Sequence, residues 1–195
     1  ALGLNPDGAL AQASKALPEA QARARLEAYN AEIKRAFGVL QGGYGQDPAA
    51  EQRRISEAAQ IASGVEAALS DELSSSPAAH KAVKANLGAL QKELENARLA
   101  QRYSAGEAAV RARHKAGQPA SAQELSALEQ TLTQLRSRGG PGWQGTVAHF
   151  QARLTRLSQE RDKLAAAQGG AATKATASDG KLASVKAPAA PVASN

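Results

Sequence analysis

Apolar residues recur along most of the chain at alternating spacings of three and four residues. This spacing keeps apolar side chains on one face of a helix and is typical of helices that pack as coiled coils. Because the connections between these stretches are short, we expect consecutive helices to be antiparallel neighbours. The pattern predicts an all-α fold, an elongated antiparallel up-down bundle of four to five helices built from coiled-coil hairpins. The five apolar stripes, here called seams, are Ala22, Leu26, Tyr29, Ile33, Ala36 and Leu40; Ile55, Ala58, Ala62, Val65, Leu69 and Leu73; Val83, Leu87, Leu90, Leu94 and Ala97; Leu125, Leu128, Leu132 and Leu135; and Val147, Phe150, Leu154, Leu157 and Leu164.

Proline and glycine indicate where the first helix begins and ends. A turn signal in residues 1–17 is followed by a short stretch, near 9–15, that suits a short helix. Pro18 fits the first turn of a longer helix, and the glycine pair 42–43 would end it. The sequence thus predicts an N-terminal turn and short helix, followed by a helical bundle over residues 18–168.

Later boundaries follow from the same kind of signal. Pro48 and Pro77 each stand where a first helical turn would begin. Residues 104–107 read Ser-Ala-Gly-Glu, a capping box, so the third helix is either one helix up to Ala116 or two helices with a break near Tyr103. A second capping box, Ser-Ala-Gln-Glu at 121–124, follows a firm Gly-Gln-Pro stop and opens the fourth helix.

The last helix is expected to begin between Trp143 and Thr146 and to end at Gly169 and Gly170. Beyond it the composition changes to Ala, Ser, Thr, Lys, Pro and Gly, with few large apolar side chains. Such a segment cannot bury enough surface to offset the backbone entropy of ordering, about 1–2 kcal/mol per residue. We therefore predict a disordered C-terminal tail over residues 169–195.

Composition makes the predicted core thin. Alanine supplies 47 of the 195 residues, whereas aromatic residues are 3% of the chain. Alanine favours helices but adds little buried apolar area. Because β-branched and aromatic residues are enriched in strands, their scarcity disfavours a sandwich, a barrel or a nucleotide-binding sheet. Two interpretations stay open: the seams are satisfied within one chain, or self-association or a partner protein completes the core.

The net charge of +6 is unevenly distributed. Residues 48–76 carry a net charge of −3, whereas residues 77–116 carry +5, so the second and third helices should attract each other. The basic residues near the end of the third helix suit its macrodipole. They are also candidates for a phosphate-binding patch, and nucleic acid is accordingly a possible but secondary partner. The members of this predicted patch are Arg98, Arg102, Arg111, Arg113 and Lys115.

Sites for catalysis, cofactors and metals are not indicated. The glycine pattern at residues 140–145 matches a dinucleotide fingerprint literally, but it follows a heptad helix where the fingerprint requires a strand. His80, His114 and His149 have no second histidine or carboxylate at metal-ligand spacing. The chain also has no cysteine. We therefore expect a protein that is not an enzyme and holds no cofactor or metal.

Two aromatic residues in glycine-rich loops are candidate partner-binding residues. Trp143 is the only tryptophan, and Tyr44 lies within Gly42-Gly43-Tyr44-Gly45. Tryptophan is enriched at the energetic centres of protein interfaces, where it would have to be exposed before binding. The alternative is that Trp143 packs over the bundle end against Val147 and Phe150, and for the free chain we expect a partly buried ring.

The function expected from these features is that of a non-catalytic helical protein for interaction or assembly. A larger exported or cell-envelope complex is one setting that this expectation includes. One alternative is a basic accessory protein that binds nucleic acid non-specifically. Another is a chaperone-like protein, since size, charge and heptads resemble those of small periplasmic helical chaperones, although the β-strand that begins such proteins is missing.

The residue usage indicates a bacterial source, and Ala1 suggests processing, which favours a periplasmic or secreted location over the cytoplasm.

Overall fold

The computed structural model describes residues 6–70 and 77–179, with side chains described for residues 18–70 and 79–168. All regular structure in these ranges is helical, which confirms the predicted fold class. A short 3₁₀ turn, Pro141–Trp143, precedes the last helix. The five α-helices of the described residues are α1 (Pro6–Leu40), α2 (Pro48–Ser70), α3 (Pro77–Lys115), α4 (Ala122–Arg138) and α5 (Gln144–Asp179). No helix in these ranges is both long and apolar enough to cross a membrane.

Helix α3 belongs to two three-helix packings. Its first part packs against α1 and α2, which also pack against each other, and we call this unit the amino-terminal bundle. Its second part packs against α4 and α5, which form the carboxy-terminal bundle with it. At 1.5 Å per residue the 39 residues of α3 extend over about 58 Å. The elongated shape follows from this shared helix.

The side chains between α3 and its carboxy-terminal neighbours define their directions. Arg113 pairs with Glu124 near the start of α4, and Glu95 pairs with Arg138 at its end, so α4 is antiparallel to α3. Helix α5 runs parallel to α3, since its contacts with α3 advance in step from Trp143 to Glu160. Helix α5 also continues beyond the end of α3, to Asp179.

The predicted seams form the core of the single chain. Every seam residue with a described side chain is buried except Tyr29 and Leu164, which are partly buried, while Leu73 lies outside the described residues. The narrow stripes are sufficient because alanines such as Ala36, Ala58 and Ala97 are fully buried, which lets the helices approach closely. The described core is thus satisfied within one chain.

Helix α3 is enclosed on more than one side where the two bundles meet. We call this region the junction. A single seam would bury two residues per heptad, but here burial spreads around the helix. Tyr103 stacks on Phe150 at 4.2 Å between ring centroids, and its hydroxyl donates a 2.7 Å hydrogen bond to the Phe150 carbonyl. The buried α3 residues of the junction are Asn96, Ala97, Leu99, Ala100, Tyr103, Ser104 and Glu107.

At both ends of the chain the helix bounds differ from the predicted ones. Helix α1 begins at Pro6 and contains Pro18, so residues 6–17 belong to the same helix as the residues that follow Pro18. Proline inside a helix removes one backbone hydrogen bond and crowds the preceding turn, so it kinks or breaks the helix. The φ angle of proline is itself compatible with a helix, and α1 continues through Pro18. Helix α5 continues past Gly169 and Gly170 to Asp179, and the rest of the predicted disordered tail lies outside the described residues.

The two capping boxes have different outcomes. The structure resolves the open choice for the third helix in favour of one helix, because the Ser104 hydroxyl donates to the Ala100 carbonyl inside α3. At the start of α4 the predicted box is confirmed. There the Ser121 hydroxyl accepts from the Glu124 backbone N–H at 3.2 Å, and the Glu124 carboxylate accepts from the Ser121 N–H at 2.7 Å.

Candidate binding groove

Trp143 lies in the interior of the junction. Its side chain is 6% exposed, more deeply buried than the partly covered ring expected above. The indole N–H donates to both carboxylate oxygens of Glu93 on α3, at 3.0 and 3.1 Å. In the single chain, Trp143 therefore closes the end of the carboxy-terminal bundle.

Tyr44 connects this corner to the loop between α1 and α2. Its ring is half-buried and lies 5.2 Å from the Trp143 ring, tilted by 43°. Its hydroxyl donates to the Leu40 carbonyl at 3.1 Å, and the Arg54 guanidinium lies 5.6 Å from the ring centre. Burial raises the pKa of Tyr44 to about 12. The two candidate partner-binding residues thus contact each other, and a role in binding a partner stays a prediction for both.

Gly45 completes the docking of that loop. Its φ of +90° lies in the left-handed region that favours glycine, and a β-carbon there would meet the Phe150 ring at 2.8 Å. Its N–H donates to the buried Glu51 carboxylate at 2.7 Å, and its carbonyl accepts from the Arg153 guanidinium. The loop is therefore fixed to both bundles.

The predicted basic patch divides between two faces of α3. Arg111 follows Arg102 by about two and a half helical turns, so the two side chains leave opposite sides of the helix. Arg113 points towards α4, where it pairs with Glu124 at 3.1 Å. Arg98 and Arg102 are exposed and lie away from α5. The five residues consequently do not form one continuous surface.

Arg111 and Lys115 instead join basic residues of α5. Together they line an open cavity of about 600 Å³ between the end of α3 and α5. We call this cavity the basic groove. Its other basic members come from α5, whereas the patch predicted from the sequence included only residues of α3. The groove is lined by Arg111, His114, Lys115, Arg153, Arg156, Leu157, Glu160, Lys163 and Leu164.

A buried carboxylate holds one end of the groove. Glu107 is 1% exposed, and its Oε1 lies 2.6 Å from Arg153 Nε and 2.8 Å from Arg111 Nη2. Its Oε2 has no hydrogen-bond partner among the described residues. A buried carboxylate needs such charged partners because its desolvation costs several kcal/mol. Glu107 therefore positions two of the five basic side chains.

The other three basic side chains are exposed to ligands. Lys115, Arg156 and Lys163 are exposed, and within the described residues none of them takes part in an ion pair or a hydrogen bond. Counting Glu107 and Glu160 against the five basic residues, the groove keeps a net charge of +3. This is an electrostatic environment that attracts anionic groups.

His114 and Glu160 form the polar centre of the groove. The His114 side chain is 7% exposed, and its Nδ1 lies 3.3 Å from Glu160 Oε2. The Ala120 N–H donates to His114 Nε2 at 3.3 Å, which requires an unprotonated Nε2. His114 therefore donates from Nδ1 to Glu160.

Sequence reasoning missed the α5 half of the groove, although a signal was present. Arg153, Arg156, Glu160 and Lys163 are spaced by three, four and three residues, so they form a charged stripe beside the α5 seam. Such a stripe flanks the contact with a neighbouring helix. What the sequence alone does not supply is the offset that sets this stripe against Arg111 and Lys115.

The remaining candidate chemistry has no structural counterpart. Residues 140–145 follow helix α4 and contain the 3₁₀ turn, so the strand of a dinucleotide-binding unit is missing before them. Over the described part of the chain, no group of three or more His, Cys, Asp or Glu residues is arranged to hold a metal ion. In comparisons with known proteins, no family, no characterised protein and no solved structure matches this chain.

Proposed function

We propose that this chain is a non-catalytic helical protein for interaction or assembly, and that it binds another protein at the basic groove. The observation that carries the proposal is the groove itself, in which exposed basic side chains surround a leucine floor at the end of a shared helix. Protein interfaces typically combine an apolar centre with a polar rim. The groove offers both.

The seams are less suitable as a binding surface. Their described side chains are already buried within the single chain, so self-association through them would require the bundle to open. Opening would expose the apolar core and cost about 25 cal/mol for each Å² of apolar area. We therefore place the partner on the outside of the folded bundle, and an exported location stays a prediction.

Site-specific photo-crosslinking in the cells that make this chain tests the proposal. A photoreactive amino acid replaces Arg156 or Lys163, one at a time, at two positions about two helical turns apart on the α5 side of the groove rim. The matched control replaces Arg102, which is exposed on the other side of α3. We expect a covalent adduct with another polypeptide from both groove positions and none from the control. Absence of a polypeptide adduct at both groove positions would refute the proposed function.

Non-specific nucleic-acid binding is the second candidate, because the same exposed cations would also attract phosphates. Its signature would be a strong salt dependence, in which the logarithm of the binding constant falls linearly with the logarithm of the salt concentration. A fluorescent single-stranded oligonucleotide titrated with the full chain at several salt concentrations tests it. Binding that is absent even at low salt would eliminate this candidate, whereas the crosslinking result would be unaffected.

A further inference from the structure

We infer that the basic groove binds an acidic, amphipathic segment of the partner protein, whose carboxylates pair with the groove rim and whose apolar side chains cover its floor. This inference rests on the proposed function and adds the chemistry of the partner. The argument depends on three features of the groove: its unpaired cations, its internal carboxylate and its leucines.

The rim cations are arranged along two parallel helices. Lys115 lies on α3, and Arg156 and Lys163 lie on α5 about two turns apart. Each is exposed and lacks an ionic partner among the described residues. An extended or helical ligand with carboxylates at similar intervals would meet one cation after another. A single small anion would leave most of them unpaired.

Glu160 already illustrates how the groove holds a carboxylate. Its Oε2 accepts from His114 Nδ1, while Lys163 follows three residues later on the same helix and lines the same cavity. The Glu160 side chain is 56% exposed, so it is free to turn towards solvent. A ligand carboxylate taking its position would keep the hydrogen bond from His114 and leave the Nε2 bond to Ala120 intact.

The chemistry of the groove floor favours a protein ligand over a nucleic acid. Leu164 is partly exposed beside the buried Leu157, where α5 extends past the end of α3. An amphipathic segment gains by covering Leu164 with an apolar side chain. A nucleic acid would instead gain from exposed aromatic rings on which its bases stack. The groove lining contains no Phe, Tyr or Trp, and the His114 side chain is only 7% exposed.

Fluorescence anisotropy with the full chain tests the inference. The probe is a labelled peptide of about 18 residues with Leu at helical i, i+3, i+4 and i+7 positions and Glu or Asp elsewhere. The groove variant is Arg156→Gln with Lys163→Gln, and the matched control is Arg98→Gln with Arg102→Gln, which removes the same charge from the other side of α3. A second peptide has Gln in place of every acid, and a third has Ser in place of every Leu.

We expect the acidic leucine peptide to bind and the groove variant to weaken it about tenfold, since exposed ion pairs contribute about two- to fivefold each. The control variant should bind as the wild type does, and the other two peptides should bind much more weakly. Equal loss in both variants, or equal binding of the serine peptide, would refute a specific groove. An oligothymidylate of equal charge that binds as tightly and loses as much in the groove variant would assign the groove to polyanions in general and overturn the inference.

Failure of the inference is distinguishable from failure of the proposed function. If polypeptide adducts form at the groove positions while the acidic peptide does not bind, the groove binds a protein of different chemistry and only the inference is wrong. If neither result is obtained, both are wrong. Circular dichroism of each variant verifies that the helical fold is retained.

Discussion

The two bundles share α3 but are stabilised differently. In the amino-terminal bundle the interior is mainly aliphatic, and a polar contact between helices, the 2.9 Å hydrogen bond from Asn86 to Asn30, lies at the surface. In the carboxy-terminal bundle and the junction, Tyr103 and Phe150 stack inside the core, and Glu107 and Arg153 pair beneath the groove.

Under the proposed function, the difference distinguishes the bundle that supports α3 from the bundle that carries the groove. An aliphatic core tolerates the exchange of one apolar side chain for another of similar volume, whereas each charge of a buried ion pair requires its partner at a fixed position. The pair beneath the groove therefore sets the positions of Arg111 and Arg153 and, through them, one end of the cavity. On this view the amino-terminal bundle supports α3, and the carboxy-terminal bundle presents the groove.

The largest expected effect tests whether the two bundles unfold together. Phe150→Ala should lower the free energy of unfolding by about 3–5 kcal/mol, because it leaves a cavity beside Tyr103 in the junction. Ile33→Ala, in the amino-terminal bundle, is the comparison and should cost about 2–5 kcal/mol. Urea unfolding is followed by Trp143 fluorescence, which reports the junction, and by circular dichroism, which reports all helices.

Because α3 runs through both bundles, the two signals should give one coincident transition in each variant. If Ile33→Ala shifts the circular dichroism transition and leaves the Trp143 transition in place, the bundles unfold independently. The comparison would then describe two separate folding units rather than one.

The second effect concerns the buried ion pair. Glu107→Gln keeps the shape of the side chain but removes its charge, so Arg111 and Arg153 lose their charged partner. We expect a loss of about 2–3 kcal/mol in the free energy of unfolding. Asn86→Ala, which removes the exposed hydrogen bond of the other bundle, should cost about 0.5 kcal/mol. Similar losses from both changes in chemical denaturation would remove the proposed distinction between the bundles.

Much of the fold is predictable from the sequence because the seams depend on local spacing. The two capping boxes show where local reasoning fails. Both read Ser-x-x-Glu, but the box at 121–124 follows a Gly-Gln-Pro stop, whereas the box at 104–107 lies between strong helix formers. Propensity on both sides continues α3 through Ser104, and Glu107 becomes a buried ion-pair residue instead of a cap.

The groove was predictable only in part, since its α3 residues and its α5 residues are linked by the register between two helices. That register is set by Trp143 on Glu93, Phe150 on Tyr103 and Arg153 on Glu107, contacts between residues about 46–50 positions apart in sequence. No local pattern encodes such pairs. The same reason explains why Trp143 could not be assigned to the interior from the sequence alone.

The third effect tests the tryptophan contact that begins this register. Trp143→Phe keeps a ring in the corner but removes the hydrogen bonds to Glu93, whose carboxylate then lacks this donor. We expect a loss of about 1.5–2 kcal/mol, the lower part of the usual range for a hydrogen bond to a charged group, because Glu93 is only partly buried. In the wild type, Trp143 emission should be blue-shifted and protected from acrylamide. Red-shifted emission that acrylamide quenches freely would contradict the buried position and revive the exposed-anchor interpretation.

The fourth effect compares the caps of α2 and α4, one in each bundle. Asp47 Oδ1 accepts from the N–H groups of Ala49 and Ala50, and Ser121 and Glu124 form the capping box. Asp47→Ala and Ser121→Ala should each lower stability by about 1 kcal/mol. Thermal unfolding measures both losses. A negligible loss in one variant would mean that tertiary packing fixes that helix start without its cap.

The smallest effect is the pH dependence of these caps. Hydrogen bonds from the Ser121 backbone and side chain lower the pKa of Glu124 below its ordinary value of 4.5, and the backbone N–H of Ala50 does the most to lower the pKa of Asp47. A carboxyl group with a lower pKa in the folded chain stabilises the fold above its unfolded pKa, and this contribution is lost as pH falls through the folded value. Glu124→Gln and Asp47→Asn should therefore be less stable than the wild type at pH 7, with the difference shrinking towards pH 3. Parallel stability curves from pH 7 to pH 3 would show that neither carboxylate is favoured by the fold, and the two helix starts would then differ only in geometry.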